Sequence, residues 1–171
     1  MTAAPRIETE RLILRAPTRH DFPAIAAFYA TEASRFIGGP LDERPVWYWF
    51  SSGLGDWDLL GFGSWAIEEK ATGAFAGQVG LNQPPDYPER EIGWLLFPGF
   101  ERRGFATEAA RAARSFAYGP LGWATAVSYV DRDNHRSAAV ARRLGCHEDA
   151  AAPRPDPEDL VFRHPAPEAL S

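Results

Sequence analysis

Cysteine is nearly missing from this 171-residue chain. Cys146 stands alone, which excludes a disulfide framework and any cysteine-based structural zinc site. Long apolar runs are missing too, since none approaches the roughly 18 residues of a membrane span. The opening MTAAPRIETERL carries charges where a secretory signal would carry its apolar stretch. Basic residues are in deficit, with 18 Lys and Arg against 23 Asp and Glu for a net charge of −5. That balance argues against a general nucleic-acid binder, which needs a basic face. No pair of histidines has metal-ligand spacing, so no metal is expected. Glycine and proline, 15 each, fall short of a low-complexity composition. What is there is ordinary globular material: 45% hydrophobic and 24% charged residues, enough for a single domain over residues 1–171 with a sizeable core. The expected compartment is the cytoplasm.

Patterning along the chain divides it into elements. Leu12 and Leu14 alternate with Arg11, Ile13 and Arg15 in a strand expected over 7–15. Asp21 offers a cap to a helix running to Thr31, with Phe22, Ile25, Ala26 and Tyr29 at helical spacings. A second helix starts near Pro45, carries Val46, Trp47, Trp49 and Phe50, and is expected to stop at Gly53 and Gly55. Strands over 63–69 and 74–82, joined by Lys70-Ala71-Thr72-Gly73, form an antiparallel hairpin. The near-continuous apolar run of the next strand, 91–97, suggests burial on both faces. It leads into a helix over 105–117, a strand over 123–130 and a helix over 134–144 closed by Gly145. Strand, helix, strand is a right-handed βαβ unit with parallel strands. The last 19 residues hold five of the prolines and read as an acidic loop, a strand over 160–164 and a frayed tail over 165–171. The fold expected is an α/β (α+β hybrid) domain with a mixed sheet, antiparallel toward its N-terminal end and parallel in the middle.

Glu101-Arg102-Arg103-Gly104-Phe105-Ala106-Thr107 is the segment richest in chemistry. A loop with two arginines and a glycine opens a helix, and the unpaired N–H groups of a helix start make an anion site. A capped helix with solvated arginines is the alternative. The segment is neither a Walker loop nor a Rossmann fingerprint, because the required glycine spacings are absent.

Glu91-Ile92-Gly93-Trp94-Leu95-Leu96-Phe97-Pro98, followed by Arg103-Gly104-Phe105-Ala106-Thr107-Glu108-Ala109, resembles the acetyl-coenzyme A core of the GNAT N-acetyltransferases. Within them the chain resembles the ribosomal-protein N-terminal acetyltransferases of the RimJ/RimL type. Glu8-Thr9-Glu10-Arg11-Leu12-Ile13-Leu14-Arg15, Asn134-His135-Arg136-Ser137 and Arg143-Leu144-Gly145 match the same branch. The resemblance implies a mostly antiparallel sheet with splayed parallel strands in the middle, flanked by about four helices. It also implies acetyl-CoA as co-substrate. Its pyrophosphate would lie on the amides of Arg102, Arg103, Gly104, Phe105, Ala106 and Thr107. Its pantetheine would lie along Leu95, Leu96 and Phe97, with Asn134 and Ser137 facing it from the other side. Arginines over 102–114 and 132–143 would give an acidic protein a basic quarter.

Transfer to an amine needs a base for the amine and an acid for the departing thiolate. Glu91 is the base candidate, with Asp86 and Glu89 as competitors. Many relatives carry a tyrosine acid at a position that is Ala141 here, and the branch places a serine at Ser137 instead. Glu101 departs from the family pattern and would sit awkwardly beside phosphates. Trp47 and Trp94 are the candidate acceptor contacts, and Cys146 reads as a small core residue. The function these readings imply is direct acetyl transfer to a primary amine, on a protein N-terminus or a small molecule, with no nucleic-acid or membrane partner. A homodimer is common among proteins of this resemblance. The alternative is a catalytically silent acyl-CoA-binding module of the same fold.

Overall fold

The computed structural model describes residues 4–170; the first three residues of the charged N-terminal stretch and Ser171 of the tail lie outside them. Eight strands form one sheet, in the order β1-β2-β3-β4-β5-β6-β8-β7. These are β1 (Ile7–Glu8), β2 (Leu12–Arg15), β3 (Ser64–Glu69), β4 (Phe75–Asn82), β5 (Glu91–Leu96), β6 (Val127–Asp131), β7 (His147–Glu148) and β8 (Asp159–Arg163). Four α-helices flank it: α1 (Phe22–Tyr29), α2 (Glu43–Leu59), α3 (Phe105–Tyr118) and α4 (His135–Arg143). Every neighbouring pair is antiparallel except β5 and β6, which are parallel. No helix among the described residues is long and apolar enough to cross a membrane.

The main core lies between the sheet and α3, whose alanines Ala109, Ala110, Ala113 and Ala117 are fully buried. Such small side chains let the helix backbone approach the sheet, where Trp65, Leu12, Leu14, Ile67 and Phe162 fill the space. A second cluster joins α1 to α2 through Phe22, Ile25, Phe28, Val46 and Phe50, with Phe97 beneath.

Three elements differ from what periodicity suggests. The first strand is two, because Thr9 N–H turns back onto Leu12 O at 3.0 Å and the turn residues engage α3. Asp21 does not cap α1 with its side chain; its carboxylate accepts the Arg15 fork at 2.8 Å and Thr18 N–H at 2.7 Å. Helix α2 runs through Gly53 and Gly55 to Leu59. Trp57 anchors that end, edge-on to Trp65 at 4.8 Å and donating Nε1–H to Ser64 O at 3.2 Å. Packing of a large indole outweighs the roughly 1 kcal/mol that each glycine costs a helix.

Candidate active site

The parallel pair is matched at one position only, Glu91 with Val127. Beyond it the two strands diverge, so Gly93, Trp94, Leu95 and Leu96 are half exposed rather than buried on both faces, as the apolar run alone suggests. The gap continues into a cleft of about 1240 Å3. Glu91, Trp94 and Leu95 line it from β5, Ser128 and Tyr129 from β6, and Asn134 and Ser137 from the start of α4.

Glu91 is 7% exposed, so it is not a solvent-facing strand-end charge. Its Oε2 accepts Asn82 Nδ2–H at 2.7 Å, and Asn82 is its direct cross-strand partner. The space for this pair comes from two glycines that also face one another, Gly80 and Gly93. A Cβ at Gly93 would lie 3.3 Å from Glu91 Oε2, and one at Gly80 would lie 3.0 Å from Asn82 Oδ1. Burial raises the Glu91 carboxyl to about 7, the Asn82 amide and the Tyr129 N–H that faces it oppose the rise, and Asp159 adds to it. A carboxyl poised there is half ionised near neutrality, which suits a general base. Of its two competitors, Glu89 is held by Arg163 at 2.8 and 2.9 Å, while Asp86 lines the cleft.

The loop from Pro98 to Gly104 turns with three left-handed residues, Gly99 at φ 95°, Arg102 at φ 60° and Gly104 at φ 80°. Left-handed residues in a loop before a helix can turn successive N–H groups to one side, the arrangement that holds anions in other proteins. Thr107 Oγ1 in the first turn is buried, with no hydrogen-bond partner among the described residues. The N-terminal hairpin clamps this turn. Glu108 Oε1 accepts Thr9 Oγ1–H at 2.6 Å and Arg11 N–H at 2.8 Å, and Arg11 donates to Glu108 Oε2 and to Arg103 O, each at 2.8 Å.

The arginines divide differently from the count along the chain. Arg103 pairs with Glu69 and stacks over Phe105 at 4.4 Å, whereas Arg102 is exposed. Arg114 is 4% exposed and belongs to the interior, not to a solvated basic face. Glu101 turns toward α4 and accepts Arg136 Nη1–H at 2.7 Å, which relieves the charge conflict its position suggests. Asn134 caps α4 by accepting Ser137 N–H at 3.1 Å. Leu96 packs into the main core and Phe97 into the second cluster, and the Phe97 N–H is already bonded to Ala76 O at 2.9 Å. Trp47 stands edge-on to Phe22 at 4.9 Å, outside the cleft; its neighbour Trp49 lines the cleft instead. Burial pushes the Cys146 thiol up to about 12, so it is no nucleophile.

Asn82, Ser128 and Tyr129 belong to the cleft without any motif in the sequence that marks them. Ser128 carries the one signal that was available, a small polar residue inside the apolar run Val127–Val130.

The mixed sheet thus parts between its two parallel strands, with the glycine-led start of α3 following β5. The family model for the acetyltransferase (GNAT) domain matches residues 11–147, and the chain belongs to that family. A crystal structure of an acetyltransferase from Agrobacterium tumefaciens shares 46% identity, covers 95% of each chain and superposes with a TM-score of 0.91. The uncharacterized N-acetyltransferase YoaA of Bacillus subtilis is 27% identical, over 85% of this chain and 84% of its own. RimL, a ribosomal L7/L12 alpha-N-protein acetyltransferase solved with coenzyme A, shares the fold at 18% identity, covering 95% of this chain and 98% of its own with a TM-score of 0.76. The protein is therefore an acetyltransferase whose fold takes acetyl-CoA as acetyl donor. The unpartnered Thr107 hydroxyl and the left-handed turn at Arg102 and Gly104 are features that a bound pyrophosphate would satisfy.

Proposed function

We propose that the protein transfers acetyl from acetyl-CoA directly to a primary amine, a protein N-terminus or a small molecule, with the chemistry at the parting of β5 and β6. One observation carries the reading: the buried carboxyl of Glu91 on β5 and the hydroxyl-bearing Ser137 in the first turn of α4 line the same cleft. Acetyl-CoA supplies the thioester. The amides of residues 102–107 hold its pyrophosphate, and the half-exposed backbone of Leu95 and Leu96 with Phe97 guides its arm. An N–H near Leu96 donates to the developing oxyanion, a contribution of typically a few kcal/mol. Glu91 takes the proton of the attacking amine, and Ser137 donates a hydrogen bond to the departing sulfur. Asn134 orients Ser137 through the helix cap.

The acceptor end of the cleft supports an amine that arrives charged. Asp56, Asp86, Asp131, Asp156 and Asp159 line it together with Glu91, against Arg35, and this field concentrates cations. Tyr29, Phe36, Trp49 and Trp94 give it apolar walls. The hydroxyl at Ser137 and the matched Thr9-to-Arg15 segment support kinship with the RimJ/RimL type. The test is thiol release from acetyl-CoA across a panel of N-terminal peptides and small amines. At least one acceptor is expected to turn over, and Glu91→Gln is expected to lower kcat/KM about 100-fold or more. Calorimetry showing tight acetyl-CoA binding with no turnover on any acceptor would sink the enzymatic reading in favour of a silent acyl-CoA-binding module.

A further inference from the structure

The parallel ladder stops after Glu91 and Val127, and what seals its broken edge is specific. Val127 N–H reaches Arg90 O at 3.0 Å. The next rung of a parallel pair would join Ile92 C=O to Tyr129 N–H. Instead, Ile92 O accepts the Ser128 hydroxyl at 2.6 Å, and Tyr129 N–H faces the Glu91 carboxyl. The Ser128 side chain has taken the place of the missing backbone donor to Ile92 C=O, and Tyr129 N–H is left directed toward Glu91. An unsatisfied carbonyl and amide here would simply bond to one another.

Ser128 does not act alone. It is 2% exposed, as is His164, and the two lie 3.0 Å apart through Oγ and Nε2. The serine proton is committed to a carbonyl, which can only accept. Its oxygen must therefore accept from His164, which puts the imidazole proton on Nε2. Nδ1 is then bare and faces Arg114 Nη1 at 3.4 Å, while the same guanidinium nitrogen donates to Leu144 O at 2.7 Å. Direction is enforced along the whole chain: Arg114 to His164 to Ser128 to Ile92. A second imidazole proton would point at a guanidinium, and burial with Arg114 alongside holds the ring neutral.

We infer that Ser128, oriented by His164 and Arg114, is a positioning residue that keeps β5 and β6 parted and reserves Tyr129 N–H for the Glu91 carboxylate. With the hydroxyl gone, Ile92 C=O is free to recruit Tyr129 N–H. The ladder then closes by one rung, and Glu91 loses a donor that favours its charged form. The other groups facing Glu91 are Asn82 on β4, Asp159 on β8, and the phenols of Tyr87 and Tyr129. None of them bonds to Ser128, so the shift belongs to the lost rung.

The role rests on Glu91 as base, and the test separates the two claims. The Glu91 carboxyl is titrated by carbon-13 NMR in the protein without acetyl-CoA, with Glu91→Gln assigning its signal, and the pH profile of kcat/KM is recorded beside it. Ser128→Ala is expected to move both the carboxyl titration and the acidic limb alkaline by about half a unit or more. Ser128→Thr, which keeps the hydroxyl, is expected to restore them. Ser128→Cys, a weaker donor of nearly the same shape, is expected to move them less and serves if the alanine variant does not fold. An unmoved carboxyl titration in folded Ser128→Ala or Ser128→Cys overturns the inference. A shifted carboxyl with an unmoved rate profile supports the positioning role while removing Glu91 from the base role.

Discussion

A carboxyl raised to about 7 by burial ties the rate to pH in one direction. The ionised form is the base, so kcat/KM is expected to rise with pH through an acidic limb near 7 and level off above it. Glu91→Gln is expected to abolish that limb, and a limb surviving the substitution would assign it to another group. Ser137 belongs to the other half of the reaction. Loss of one hydrogen bond to a charged sulfur costs roughly 1.5–3 kcal/mol, so Ser137→Ala is expected to lower kcat about ten-fold or more while the KM for acetyl-CoA stays near its starting value. Steady-state kinetics with acetyl-CoA varied at saturating amine checks this, and a change confined to KM would make Ser137 a binding group only. Glu91 was legible in the sequence as an acidic residue at the head of an apolar strand. Its burial was not, because burial depends on Gly80 and Gly93 lying opposite one another, a fact of register rather than of local spacing.

At the scale of elements, α2 and α3 show how tertiary contacts override local signals. The two glycines of α2 read as a stop, yet Trp57 on Trp65 carries the helix onward. A Cβ at Gly55 would meet nothing within 4 Å and its φ is helical, so Gly55→Ala is expected to stabilise by about 1 kcal/mol. Thermal unfolding should show this as a rise of roughly 2–4 °C, and an unchanged midpoint would mean that this stretch of α2 unfolds before the rest. The start of α3 depends on distant residues as well. Arg11 spans from Glu108 to Arg103 O, and it is about half exposed, so its worth is geometric more than energetic. Arg11→Ala is expected to raise the KM for acetyl-CoA several-fold with kcat little changed, and a loss confined to kcat would refute a role in shaping the loop. The antiparallel hairpin, the βαβ unit and both termini of α4 were legible because turns, caps, glycine stops and apolar periods agree there. The split of the first strand was not, since its cause is Glu108, 97 residues away from Arg11.

For the whole molecule, two buried groups pull stability in opposite directions across mildly acidic pH. His164 is pushed down from 6.5 to about 3 by burial and by Arg114. Its contribution is complete above pH 6.5 and is lost as pH falls from there toward 3, at about 1.4 kcal/mol per pH unit. Glu91 is raised from 4.5 to about 7, so its contribution is complete below 4.5 and is lost as pH rises from there toward 7. Between pH 4.5 and 6.5 they offset. Denaturant unfolding from pH 4 to 8 is expected to show His164→Gln leaving stability that falls as pH rises from 4.5 toward 7, and Glu91→Gln leaving stability that rises with pH up to 6.5, where the wild type is nearly flat between 4.5 and 6.5. Parallel curves for all three proteins would contradict both assignments. The sheet that houses these groups is also two plates joined along a short seam. Load carried from β1 to β7 passes in series through every strand pair, and the β5–β6 junction, matched at one position, is the weakest of them in shear. A stretched molecule is expected to give way there first, and whatever lodges between the plates would act as mortar. Acetyl-CoA in that position would make resistance to force rise with donor concentration, a tensile readout of occupancy that requires no turnover.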